Sequence, residues 1–214
     1  MLKDLLLSIF YPPQCPLCRC SVDNHGTVCP TCQTTYIKPR MLTLSEDVEY
    51  LDACFTVCDY VGTVRHLLHR LKYDGQQRAG AQLAQALQYV PKNWNISYID
   101  CVVPVPLTPQ KAAQRGYNQT EILFRPWLEK KKPWVDMLMR VRTTQSQWQL
   151  SKEKRKENIK RAFAVKGSFR ATEKHILLVD DIFTTGSTME DCAYTLKENG
   201  AASVTGLVIA SNAI

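Results

Sequence analysis

No stretch of this chain stays apolar for the roughly 20 residues that a bilayer-spanning helix needs. Leu5 to Phe10 is too short for that and is stopped by Pro12 and Pro13. Asp4 sits badly in the basic leader of an export signal, which would also need a longer apolar core and a small-residue cleavage site. Low-complexity tracts are absent too. The charge bias is modest, with 27 Lys and Arg against 20 Asp and Glu, net +7 and a pI near 8.9. That lacks the dense basic face of a dedicated nucleic-acid binder, and it is compatible with an anionic ligand, with single-stranded nucleic acid, or with nothing specific. The remaining composition, 45% hydrophobic and 22% charged over 214 residues, is that of a soluble chain. Its length allows one well-buried α/β domain and a small appendage. The expected compartment is the cytoplasm, and the first turns read as a short amphipathic helix.

Nine cysteines would suggest disulfides in a small secreted domain, but here the number is odd and four of them form two CxxC units. Cys15-Pro-Leu-Cys18 and Cys29-Pro-Thr-Cys32 point thiolates in pairs, with a spacer containing Asp23, Asn24 and Gly26 that can turn back like a hairpin. Zinc takes four such soft ligands at tetrahedral corners. A module this small has almost no core, so bound zinc is its folding energy. Two unrelated reduced pairs, or a redox pair, is the competing account; the paired spacing favours a structural zinc site. Cys20 is then a spare thiol, His25 is solvated, and Cys54 and Cys58 are buried small hydrophobes.

The expected organisation is residues 1–40 as an N-terminal helix and zinc module, 41–52 as a linker, and 53–214 as the main domain. Within the last, strand-like runs alternate with helical ones. Phe55 to Tyr60 reads as a strand, Gly62 to Leu71 and Gln76 to Tyr89 as helices, and Ile99 to Pro104 as a buried strand. Asn118 to Lys130 reads as a helix, Val135 to Val141 and Ala162 to Val165 as short strands, and Ser151 to Ile159 as a charged helix or ordered loop. Ile176 to Val179 is the cleanest buried strand, followed by a helix from Ser187 to Glu198 that Gly200 caps, and by a last strand from Val204 to Ala210. Strands separated by helices imply a mostly parallel sheet. Ligands bind beyond the carboxyl ends of such strands, so the loops after Val105, Val141 and Val179 are expected on one rim.

The chemistry concentrates after Val179. Asp180 and Asp181 come first, then Ile182 and Phe183, then Thr184, Thr185, Gly186, Ser187 and Thr188. Gly186 lets the backbone approach an anion. The hydroxyls, exposed amides and helix N-terminus then form a cradle for a phosphate dianion. Two carboxylates would repel that phosphate, so their partners are vicinal ribose hydroxyls or a magnesium ion bound to them. An Asp pair also holds magnesium in phospho-acceptor domains, and a TTGST turn alone can be a solvated cap. A Walker loop is excluded because no Lys follows the glycine turn.

Ile176 to Thr188 resembles the phosphoribosyl-pyrophosphate motif of type I phosphoribosyltransferases. The resemblance implies that Asp180 and Asp181 bind the ribose hydroxyls and that Thr184 to Thr188 hold the 5′-phosphate, with magnesium accompanying the ligand. Val103-Pro-Val-Pro-Leu-Thr-Pro109, Arg115-Gly-Tyr-Asn-Gln119 and Leu71-Lys-Tyr-Asp-Gly75 resemble the ComF/GntX family of competence proteins. So do Thr144-Gln145, Leu150-Ser151, Arg155, Asn158 and Ala162-Phe163. That family implies an α/β fold of type I phosphoribosyltransferase type preceded by a small four-cysteine zinc module. Arg115 and Gly116 become its pyrophosphate loop, although a surface Arg before a helix would read alike. The basic segment from Arg140 to Arg161, with Trp148, becomes a hood loop, and Arg115 and Arg155 are the residues that would carry any chemistry. Many members hold a second cysteine cluster that Cys54 and Cys58 do not reproduce, so one zinc site is expected.

The resemblance implies a role in DNA uptake or utilisation, with single-stranded DNA and a competence helicase as partners. The Trp residues are permissive for stacking bases, although four in a chain this size are more often core. A salvage phosphoribosyltransferase acting on a free nucleobase, and a non-catalytic sensor of phosphoribosyl pyrophosphate, are the alternatives. No residue must be a general base and no nucleobase pocket is recognisable, so an acceptor is undefined.

Overall fold

The computed structural model describes residues 12–91, 94–141, 162–167 and 169–213. The described chain begins with the cysteine turns and a short helix α1 (Pro30–Tyr36), which leads straight into β1 (Ile37–Met41). After a crossing segment come β2 (Ala53–Asp59), α2 (Gly62–Tyr73), α3 (Gln77–Ala84) with a 3-10 turn over Gln85–Tyr89, and β3 (Cys101–Pro104). Helices α4 (Pro109–Arg115) and α5 (Gln119–Leu128) follow. The last elements are β4 (Leu138–Arg140), β5 (Phe163–Val165), β6 (His175–Phe183), α6 (Ser187–Glu198) and β7 (Ser203–Ser211).

The main sheet has the order β1-β2-β7-β6-β3. Its strands run parallel except β1, which lies antiparallel on the β2 edge. Strand β6 is paired on both sides, which is why its sequence is an unbroken apolar run rather than an alternation. Successive side chains still point to opposite faces. Leu177 and Val179 join the layer formed by Leu67, Leu68 and Leu71 of α2, Leu83 of α3 and Leu123, Phe124 and Leu128 of α5. Ile176 and Leu178 join the other layer, with Met189, Cys192, Ala193 and Leu196 of α6. The cysteine module belongs to the first layer, since Cys15, Leu17, Val28, Cys29 and Cys32 pack in that same cluster.

Two differences from the sequence reading matter for the site. Strand β6 does not stop at Val179: its ladder with β7 continues through Asp180, Ile182 and Phe183. The acids, expected at a strand end, are thus inside the sheet edge, and adjacency on a strand sends them to opposite faces. Strand β4 does not join the parallel sheet. It pairs with β5 in a two-stranded sheet whose β5 packs on α6, so the Val141 segment leaves from that layer rather than from a strand of the main sheet. The proline-rich segment after Val105 also holds a helix, α4, started by the Thr108 cap and Pro109 and ended by Gly116 at φ 74°.

Candidate ligand site and metal centre

The cysteine array closes on itself. The sulfurs of Cys15, Cys18, Cys29 and Cys32 all lie within 4.8 Å of one another. A tetrahedral zinc with bonds near 2.3 Å requires sulfurs about 3.8 Å apart, so small adjustments admit the ion. The backbone prepares this arrangement. Cys29 N–H donates to Cys15 Sγ, and Cys32 N–H donates to Cys29 Sγ, which caps α1. Neighbouring backbone at Cys20 lowers the Cys18 thiol pKa, whereas the Cys20 thiol is pushed up to about 12 by its hydrogen bonds with Cys18 and Cys29. His25 is exposed. Cys54 and Cys58 are fully buried in β2, where burial raises both thiols, Cys58 to about 12. Among the described residues only one cysteine cluster has metal-ligand geometry.

At the end of β6, Asp181 has the parity of Leu177 and Val179 and meets α2. Its Oδ2 lies 2.7 Å from Lys72 Nζ without hydrogen-bond geometry, an ion pair with both partners largely buried. Asp180 has the other parity. Burial beside Cys54 and Cys192, together with the Asp181 charge, raises its carboxyl to about 8. Asp180 Oδ1 accepts the Asp181 N–H at 2.8 Å and faces the Thr120 hydroxyl at 3.5 Å. The pair thus has unequal members: one carboxyl locked by its surroundings, one held by a cation.

Past Phe183 the chain turns through Thr184 and Thr185, both exposed, to Gly186 at φ 79°. A Cβ there would stand 2.5 Å from the Phe183 ring, so only glycine makes this turn. Helix α6 starts at Ser187 without a side-chain cap, which leaves its first amides for an outside acceptor. The Thr185 and Ser187 hydroxyls sit 3.0 Å apart at its mouth, and Thr188 is half-buried beside them.

The third component is the Arg115–Gly116 turn. Arg115 donates to Gln119, and Gly116 has open space around it. Asn118 ties the turn down, accepting from Thr120 N and donating to the Val105 carbonyl at the end of β3. Tyr117 donates its hydroxyl to the Leu71 carbonyl, next to Lys72. The acid pair, the end of α2 and the segment that follows Arg115 therefore meet through Lys72, Tyr117 and Thr120, and the Thr184–Thr188 turn follows the acids in the chain. Lys72 and Thr120 are the additions to the sequence reading: the LKYDG segment carried a family signal but nothing that tied it to the acids. Arg155, Asn158, Thr144, Gln145, Trp148, Leu150 and Ser151 lie outside the described residues, as does the N-terminal helix.

A mostly parallel α/β sheet with a cysteine module on its edge and a strand–loop–helix cradle defines the class. Residues 6–41 match the model of the double zinc ribbon domain. DNA utilization protein YhgH of Salmonella typhimurium is 32% identical over 203 residues, covering 89% of this chain and 86% of that protein. Competence protein F of Haemophilus influenzae is 25% identical, over 88% of this chain and 80% of its own length. Competence protein ComFC of Bacillus subtilis is 28% identical, over 91% and 76%. The chain belongs to this YhgH/ComF family of DNA-utilization and competence proteins. A solved glutamine phosphoribosylpyrophosphate amidotransferase from B. subtilis aligns over 63% of this chain and 26% of its own, at 19% identity and TM-score 0.39. Among the described residues no helix is long and apolar enough to cross a membrane.

Proposed function

We propose that this chain is a ComF-type, phosphoribosyltransferase-like protein that binds phosphoribosyl pyrophosphate with magnesium and serves DNA uptake or utilisation. The observation that carries the ligand is the order of parts at the end of β6: a carboxylate pair, a glycine turn that admits no Cβ, then an uncapped helix of 12 residues. Thr184, Thr185, Ser187, Thr188 and the amides beside Gly186 take the 5′-phosphate, and Asp180 and Asp181 take the ribose hydroxyls. Arg115 and Gly116 face the pyrophosphate, where Arg155 would join them. One carboxyl of the pair is buried and the other ion-paired, so they offer few free oxygens to a metal. Magnesium would therefore be held by the ligand's pyrophosphate and would supply charge neutralisation there. The names of the relatives, DNA utilization and competence, support the process; single-stranded DNA and a competence helicase are the partners we propose from the family resemblance.

Calorimetry with phosphoribosyl pyrophosphate and magnesium tests the ligand: binding that weakens at least about tenfold in Asp180→Asn/Asp181→Asn is expected. A parent protein that takes up no ligand sinks the reading. Pyrophosphate release across a panel of nucleobases then separates a salvage transferase from a sensor.

A further inference from the structure

Lys72 is the one cation that the described structure places on the acid pair. It sits in the last turn of α2, whose carbonyl end favours positive charge. The helix below it is fixed by buried Val64, Leu67, Leu68 and Leu71, so the start of the lysine stem is set by the core. The same last turn is also pinned from the other side, where Tyr117, two residues after Arg115, donates its hydroxyl to the Leu71 carbonyl. Lys72 is therefore held on the acid pair by a helix end that also carries the segment just after Arg115. Its ammonium is a compact charge on a flexible four-carbon stem, able to change partners without moving the helix.

We propose that Lys72 is a specificity residue for the pyrophosphate group, parked on Asp181 in the free protein and transferred to the ligand on binding. The inference rests on the proposed ligand. The ribose hydroxyls that reach Asp181 are donors and compete with the ammonium for the same oxygen. Once they take it, the ammonium is beside the most highly charged part of the ligand. A purely structural ion pair is a poor explanation for its position. Removing two charges from water costs about as much as their attraction returns, and an apolar pair would fill the space as well. A parked cation also explains how an acid pair coexists with a site for an anion: the lysine offsets the Asp181 charge until the hydroxyls arrive.

The test compares two ligands, each with magnesium, on the parent protein and on Lys72→Met: ribose 5-phosphate, which lacks the pyrophosphate, and phosphoribosyl pyrophosphate. The parent should prefer the latter. In Lys72→Met that preference should fall at least about tenfold, because one charge-assisted contact is lost only from the pyrophosphate. Ribose 5-phosphate should bind as well or better, having no ammonium to displace. A lysine that only shapes the site would weaken both ligands alike, and an unchanged preference overturns the inference while leaving the ligand reading intact. No binding of phosphoribosyl pyrophosphate by the parent overturns both. Should Lys72→Met fail to fold, the Lys72 ammonium resonance of the parent is followed with phosphoribosyl pyrophosphate and magnesium, against ribose 5-phosphate: a shift specific to phosphoribosyl pyrophosphate supports the transfer, and a signal that is the same with both ligands overturns it.

Discussion

Asp191 shows how one residue couples the cradle helix to the layer beyond it. It lies on α6 a turn past the cradle and is almost fully buried, with Oδ1 lacking a partner. Burial raises its carboxyl to about 7, although the Arg140 charge and the Ala162 amide pull it down. Arg140 and Ala162 both belong to the two-stranded layer, so the carboxyl is a polar tie between that layer and α6 beside their shared apolar core. The sign of the pH effect follows from linkage. The folded form binds this proton more tightly than the unfolded chain, so its contribution is fully present below the unfolded pKa of about 4 and is lost as pH rises toward about 7. Asp191→Asn should remove that part of the slope, leaving a flatter dependence of unfolding free energy on pH between those limits. Denaturant titrations of both proteins across the window check this; parallel curves would assign the slope elsewhere, Asp180 being the next candidate.

At the scale of elements, the segment between β1 and β2 is held by Glu190 in the first turn of α6. Its carboxylate accepts from the amides of Glu49, Tyr50 and Leu51 at 2.8 to 3.1 Å. The helix that starts without a side-chain cap thus uses its own first-turn acid to collect three amides from a neighbour. Glu190→Ala leaves those donors to water and should cost about 2 kcal/mol, with faster hydrogen exchange at residues 49–51 and little change elsewhere. Uniform exchange would mean that the clamp is not local. This contact was invisible in the sequence, where the segment's polar, acidic middle read as a linker. The α/β alternation and the positions of α2, α5 and α6 were legible because each carries an apolar face or a cap at a regular period. The end of β6 was not, since two acids interrupt an apolar run whether or not the ladder continues. Nor was α4: its prolines read as a loop, although Thr108-Pro109 is also a helix start. Lys72 could not be assigned to the acids because a salt bridge across more than a hundred residues leaves no local pattern.

For the whole molecule, the cysteine module shares its core with the main sheet. Cys15, Cys29 and Cys32 are buried in one cluster with Val57 of β2 and Leu68 of α2, and Tyr36 at the end of α1 fills the space over Gly62. Gln88 donates to the Gly26 carbonyl, and β1 continues from α1 into the sheet edge. An appendage on a tether would melt by itself when its metal is withdrawn. Here the same loss exposes one face of the main core, and zinc binding energy becomes stability of the entire chain. Chelation, or Cys29→Ser, should therefore lower the principal melting transition by at least about 5 °C, the shift that two or so kcal/mol produces in a chain of this size. Calorimetry alongside metal analysis reads both quantities together. A main transition that stays put after zinc is gone would show the module to be energetically separate, and a Cys29→Ser protein with full zinc content would move the metal site away from these four sulfurs.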